Sequence, residues 1–145
     1  MKAFLDTSVL VAAFYGDHEH HAPSFDLLAG CDRDNGGCAA HSLAEVYAIL
    51  TGMRAAARRT SGDQALLFLG SIREHLAIIS LGVQDYAGML QAAAGAGLRG
   101  GAIYDALIGQ CALKAGAATL YTWNAGDFRR LPAGIAARVR TPDGR

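Results

Sequence analysis

Short apolar runs alternate along the chain with longer stretches of helical periodicity, a pattern that predicts strands handing over to helices. Lys2-Ala3-Phe4-Leu5-Asp6 reads as a first strand ending in an acid. Val9, Leu10, Ala12, Ala13 and Phe14 then fall on helical spacing, and Gly16 stops that helix. A second helix is expected over residues 20–30, with Pro23 tolerated in its first turn. Residues 32–37 carry turn chemistry, Cys38-Ala39-Ala40 reads as a short strand of small residues, and Ser42 opens a helix to about Gly52. An amphipathic helix is predicted over 60–75 with Leu66, Leu67, Leu69 and Ile72 inward, before the strand Leu76-Ala77-Ile78-Ile79-Ser80-Leu81. Helices follow over 83–94 and 102–115, separated by Gly95, Gly97, Gly100 and Gly101. Thr119-Leu120-Tyr121-Thr122 is a fourth strand and residues 137–141 a short fifth. Helices between strands force parallel pairing, which brings the strand-to-helix loops to one sheet edge, where ligands collect.

At 145 residues with 52% hydrophobic and 18% charged content, the chain suits one folded α/β domain over 1–145 and excludes disorder. No apolar run is long enough for a membrane helix, and Asp6 interrupts the early one, so a soluble cytoplasmic protein with no membrane partner is expected. Three cysteines without a CxxC spacing argue against a disulfide framework or zinc knuckle. Net charge is zero, so any contact with a polyanion must come from local patches. Eleven of the thirteen bases are Arg, clustered at Arg54, Arg58 and Arg59 and again at Arg129, Arg130, Arg138, Arg140 and Arg145, whereas residues 1–34 hold six acids and two bases.

Asp6, Glu45 and Asp105 fall where the chain leaves a strand or enters a helix near the shared edge, and Asp127 follows the fourth strand. Each has a structural use taken alone. Asp6 suits an N-cap, Ser42-Leu43-Ala44-Glu45 has the spacing of a capping box, Asp105 suits a helix N-terminus, and Asp127 suits a turn cap. Together they point elsewhere, because uncompensated carboxylates repel one another and a hard divalent cation relieves that cost.

The runs Phe4-Leu5-Asp6-Thr7-Ser8-Val9-Leu10, Leu43-Ala44-Glu45-Val46, Ile103-Tyr104-Asp105-Ala106-Leu107-Ile108 and Tyr121-Thr122-Trp123-Asn124-Ala125-Gly126-Asp127-Phe128 resemble, in order and spacing, the PIN-domain family. Within it they most resemble the VapC-type ribonuclease toxins of toxin-antitoxin systems. The resemblance implies a three-layer α/β/α fold with a central parallel sheet of four or five strands. It implies an endoribonuclease dependent on Mg²⁺ or Mn²⁺, a cognate VapB-like antitoxin and a homodimer. Asp6, Glu45 and Asp105 match the family's metal-holding acids. Some relatives carry an Asp where this chain has Asn124, so either Asp127 supplies the fourth carboxylate or the site has three. Thr7, Ser8 and Thr122 match polar positions that orient acids or waters, and Asn124 would position a ligand or phosphate.

Other features carry weaker expectations. The Asp17-His18-Glu19-His20-His21 run lacks a metal-binding spacing and reads as a solvated loop, while His41 and His75 read as structural. Trp123 and Tyr104 flank site positions and suit either the core or base stacking. The strand ending Asp6-Thr7 also resembles a haloacid-dehalogenase-type phosphatase, but that pattern wants an acid where Ser8 stands. A PIN scaffold that binds RNA or a partner with little catalysis is the non-enzymatic alternative.

Overall fold

The computed structural model describes residues 1–145. Its centre is a five-stranded sheet of β1 (Ala3–Leu5), β2 (Gly36–Ala39), β3 (Ala77–Ile79), β4 (Thr119–Tyr121) and β5 (Val139–Arg140), in the order β3-β2-β1-β4-β5. Every neighbouring pair is parallel, with Phe4 opposite Gly37 on one side and Leu120 on the other. Helices α1 (Thr7–Phe14) and α2 (His21–Ala29) follow β1, and α3 (Ala40–Gly52) and α4 (Gly62–His75) follow β2. Between β3 and β4 lie α5 (Val83–Gly95) and α6 (Ala102–Lys114), and between β4 and β5 lie the short α7 (Ala125–Phe128) and α8 (Ala133–Ala136).

Side chains alternate across a strand, so each strand feeds two cores. Phe4, Ala39 and Leu120 pack with Leu107, Ile108, Phe128 and Ile135 on one face. Ala3, Leu5 and Cys38 pack with Val9, Leu10, Val46, Leu50 and Ile72 on the other. Apolar layers on both faces make the three-layer α/β/α arrangement that an all-parallel sheet requires. No helix is long and apolar enough to cross a membrane.

Several boundaries differ from the sequence expectation, each for a physical reason. The second strand begins at Gly36 rather than Cys38, and Ala40 belongs to α3. Glycine is needed there because a Cβ on Gly36 would stand 2.7 Å from Cys31 Sγ and one on Gly37 2.7 Å from Met1 Sδ. The six-residue run at 76–81 contributes only three ladder residues, since β3 is an edge strand paired to β2 alone. Leu66 and Leu67 do not point inward: they are 60% and 77% exposed, and the seam of α4 runs through Ala65, Phe68, Leu69 and Ile72. That helix starts at Gly62 behind a capping box in which Ser61 and Gln64 bond reciprocally.

Candidate functional site

The strand order reverses direction at β1, with β2 and β3 to one side and β4 and β5 to the other. In an open parallel sheet a crevice forms at such a switch, outside the carboxyl ends of the strands. Asp6 is the residue that leaves β1 at this point. Its backbone N–H donates to Tyr121 O at 2.9 Å, which holds the ends of β1 and β4 level.

Asp6 caps α1, as expected, and also belongs to the crevice. Its Oδ2 accepts from Ser8 Oγ at 2.8 Å, from the Ser8 backbone N–H at 3.4 Å and from Thr122 Oγ1 at 2.8 Å. Oδ1 takes none of these three bonds. Asp6 is only 3% exposed, and burial pushes its carboxyl above the usual carboxylate range against the opposing pull of those hydrogen bonds. Thr122 Oγ1 also accepts the backbone N–H of Asn124 at 3.0 Å, so the turn after β4 is pinned to the same carboxylate.

Glu45 lies on α3, which leaves β2 beside β1. Ser42 is buried inside that helix rather than capping it, so the capping-box expectation for Glu45 is corrected. The Glu45 carboxylate instead receives the Thr7 hydroxyl at 2.9 Å, and Ser42 Oγ lies 2.9 Å from the same Thr7 oxygen. Helix α3 begins at Ala40 because β2 runs into it without a connecting turn, which places Glu45 in its second turn. His41 Nε2 stands 3.5 Å from Glu45 Oε1, and its ring stacks on Tyr104 at 5.3 Å.

Asp105 sits in the first turn of α6. Its pKa is raised to about 6, first by burial and then by the negative fields of Asp6, Asp127 and Glu45. Asp105 thus feels the negative charge of each of the other three acids. No Lys or Arg forms an ion pair with any of them, and His41 is the only ion-pair partner that the group has. Asp127 lies on α7 and makes no side-chain cap. It lines a cavity of about 330 Å³ with Asp105 and Arg130. Asn124 occupies the N-cap position of α7 with an exposed side chain that forms no capping bond.

The donor set suits a hard cation: four carboxylates, of which Asp6 and Glu45 are oriented by hydroxyls and none is ion-paired to Lys or Arg. No three His, Cys, Asp or Glu groups in the chain are arranged closely enough to form a ready metal cage. Mg²⁺ does not require one, because it keeps several waters and is bound through one or two carboxylates directly. Sequence reasoning named Arg130 only within the basic cluster of residues 129–145, without placing it beside the acids, and read His41 as structural. The adjacency of Tyr104 to Asp105 was the signal for the aromatic flank, and the i, i+4 spacing of His41 and Glu45 on one helix was the signal for that pair.

Comparison with known proteins agrees with this architecture. No curated protein sequence matches the chain. The structure of VapBC2 from Rickettsia felis, bound to a DNA fragment from their promoter, is similar at a TM-score of 0.64 and 23% identity, over 97% of this chain and 98% of that one. That of VapBC-1 from nontypeable Haemophilus influenzae is similar at 0.66 and 17% identity, over 99% of each chain. At these identities the likeness is one of fold. The family model for the PIN domain matches residues 3–134, and the chain belongs to the PIN domain family.

Proposed function

We propose that this protein is a Mg²⁺- or Mn²⁺-dependent endoribonuclease, the toxin of a VapBC-type pair restrained by a VapB-like antitoxin. The observation that carries this reading is the group of acids at the β1 switch point: hydroxyls hold Asp6 and Glu45, Asp127 shares a cavity with Asp105, and burial followed by the fields of Asp6, Asp127 and Glu45 raises the Asp105 carboxyl to about 6. A protein that keeps such mutual repulsion at a crevice has a use for a cation there.

Asp6, Glu45, Asp105 and Asp127 are the residues that would hold the ion. When bound, it supplies charge neutralisation for the phosphodiester and a water of lowered pKa as the attacking group. Thr7 holds Glu45, while Ser8 and Thr122 hold Asp6 by one oxygen and leave the other available. Asp127, which shares a cavity with Asp105, is favoured over Asn124 as the fourth carboxylate position. The Asn124 amide is free to donate to a phosphate oxygen. Arg130, in the same cavity as Asp105 and Asp127, offers a bidentate contact to the RNA backbone.

Exposed Tyr47 and Ile49 on α3, with Leu66 and Leu67 on α4, supply apolar surface for the antitoxin or a second copy of the chain. The function is tested by incubating purified protein with single-stranded RNA. Cleavage is expected with Mg²⁺ or Mn²⁺, is expected to stop with chelator, and is expected to fall about 100-fold or more in Asp105→Asn. An Asp105→Asn protein that cleaves as fast as the parent overturns the assignment.

A further inference from the structure

We infer that His20 and Trp123 form a base-stacking subsite, which seats an unpaired nucleobase of the RNA beside the carboxylate centre. The inference rests on the nuclease reading above and names how that site would engage its substrate. Trp123 follows β4 and is fixed at two points. Its Nε1 donates to the buried Ser24 Oγ at 2.8 Å, and its backbone N–H donates to Ser8 Oγ at 3.0 Å. Ser8 Oγ in turn donates to Asp6 Oδ2 at 2.8 Å. A single hydroxyl therefore ties the position of the indole to that of the carboxylate.

His20 lies flat on the indole, with ring centroids 3.7 Å apart and planes within 8° of each other. Core packing does not account for this imidazole. Its side chain is 36% exposed, its one charged neighbour is the still more exposed Glu19 at 3.5 Å, and no buried group bonds to either ring nitrogen. His20, Trp123, His18, Asn124 and Ser8 line a cavity of about 380 Å³, within the range of small-ligand sites. His18 is held toward His20 by accepting its backbone N–H at Nδ1, at 3.0 Å.

The chemistry of the cavity selects a base over a phosphate. No Lys or Arg lines it, and Glu19 does, so an anionic group would meet no counter-charge. Because His20 already covers one face of the indole at 3.7 Å, a base would extend the stack on the partly exposed imidazole, whichever of the four bases it is. The Asn124 amide, a donor and acceptor together, can pair with a base edge. Single-stranded RNA is the substrate form that fits, because bases in a duplex have their faces covered.

Trp123 is the chain's only tryptophan, so its fluorescence reports on the subsite directly. The full chain, in chelator to prevent cleavage, is titrated with a short single-stranded oligoribonucleotide and with the same backbone carrying abasic riboses. Saturable quenching by the intact oligonucleotide alone is expected, with His20→Ala weakening it about 10-fold. With metal present, His20→Ala is expected to raise KM for cleavage and leave kcat within about 2-fold. Equal quenching by both oligonucleotides, or an unchanged affinity and KM in His20→Ala, overturns the subsite. Metal-dependent cleavage without base-dependent quenching overturns the subsite alone, whereas base-dependent quenching without any cleavage overturns the nuclease reading and supports the subsite.

Discussion

Thr122 Oγ1 donates to Asp6 Oδ2 at 2.8 Å, joining residues 116 positions apart across the seam between β1 and β4. Both groups are buried, so neither finds water if the other is removed. Thr122→Val keeps the shape and deletes the donor. Leaving a buried carboxylate short of one partner costs about 1–3 kcal/mol, to be read from urea denaturation. Cleavage is expected to fall about tenfold or more, because Asp6 is then oriented by Ser8 alone. Thr122→Ser, which retains the hydroxyl, is expected to recover most of both losses.

Thr7 has the same relation to Glu45, at 2.9 Å. Thr7→Val is expected to weaken Mn²⁺ binding about 10- to 100-fold, as loss of an outer-sphere partner does, and Thr7→Ser to restore it. Calorimetric titration of Mn²⁺ into each variant checks this.

The Asp105 carboxyl gives a pH dependence with a definite sign. In metal-free protein it holds its proton up to about pH 6, whereas the unfolded chain releases it near the ordinary value of 3.8. The folded state therefore binds more protons in that window, so this group's contribution lowers stability as pH rises from about 4 to about 6. Asp105→Asn removes this group's share of the slope and leaves that of Asp6, whose carboxyl is also raised. At neutral pH in chelator it is expected to be more stable than the parent by about 1 kcal/mol, a figure reduced for solvent screening of a partly exposed group. Added Mn²⁺ is expected to stabilise the parent more than the variant, which thermal melts at several pH values will show.

Packing between α6 and α8 rests on a glycine. A Cβ on Gly109 would lie 2.8 Å from Ile135 Cδ1 and Cγ2, so Gly109→Ala is expected to destabilise the fold by about 1–3 kcal/mol. Gly70→Ala on α4, where a Cβ meets nothing within 4 Å, is expected to stabilise it by about 0.5–1 kcal/mol. Urea midpoints of the two variants should move in opposite directions.

Much of this fold was legible because its strongest signals are local. The β1–α1 junction at Asp6 joins an apolar run, a capping acid and a helical face in consecutive residues, and the structure keeps that order. The parallel sheet followed from helices lying between strands. Leu66 and Leu67 misled because α4 carries more apolar residues than its seam can bury, and periodicity alone does not say which go in. Glu45 had the spacing of a capping box, yet β2 runs straight into α3 and moves the helix start to Ala40. Helices α7 and α8, four residues each, are too short to display a period. The field of three acids at Asp105 is a product of topology, and only the spacing of several motifs taken together hinted at it.

The most direct test is a Mn²⁺ titration followed by the electron paramagnetic resonance of the free ion, on the parent and on Asp6→Asn, Glu45→Gln and Asp105→Asn. If the four acids serve one cation, each substitution weakens binding about tenfold or more while circular dichroism stays that of the folded parent. Parent-like Mn²⁺ affinity in all three variants would contradict a shared carboxylate site.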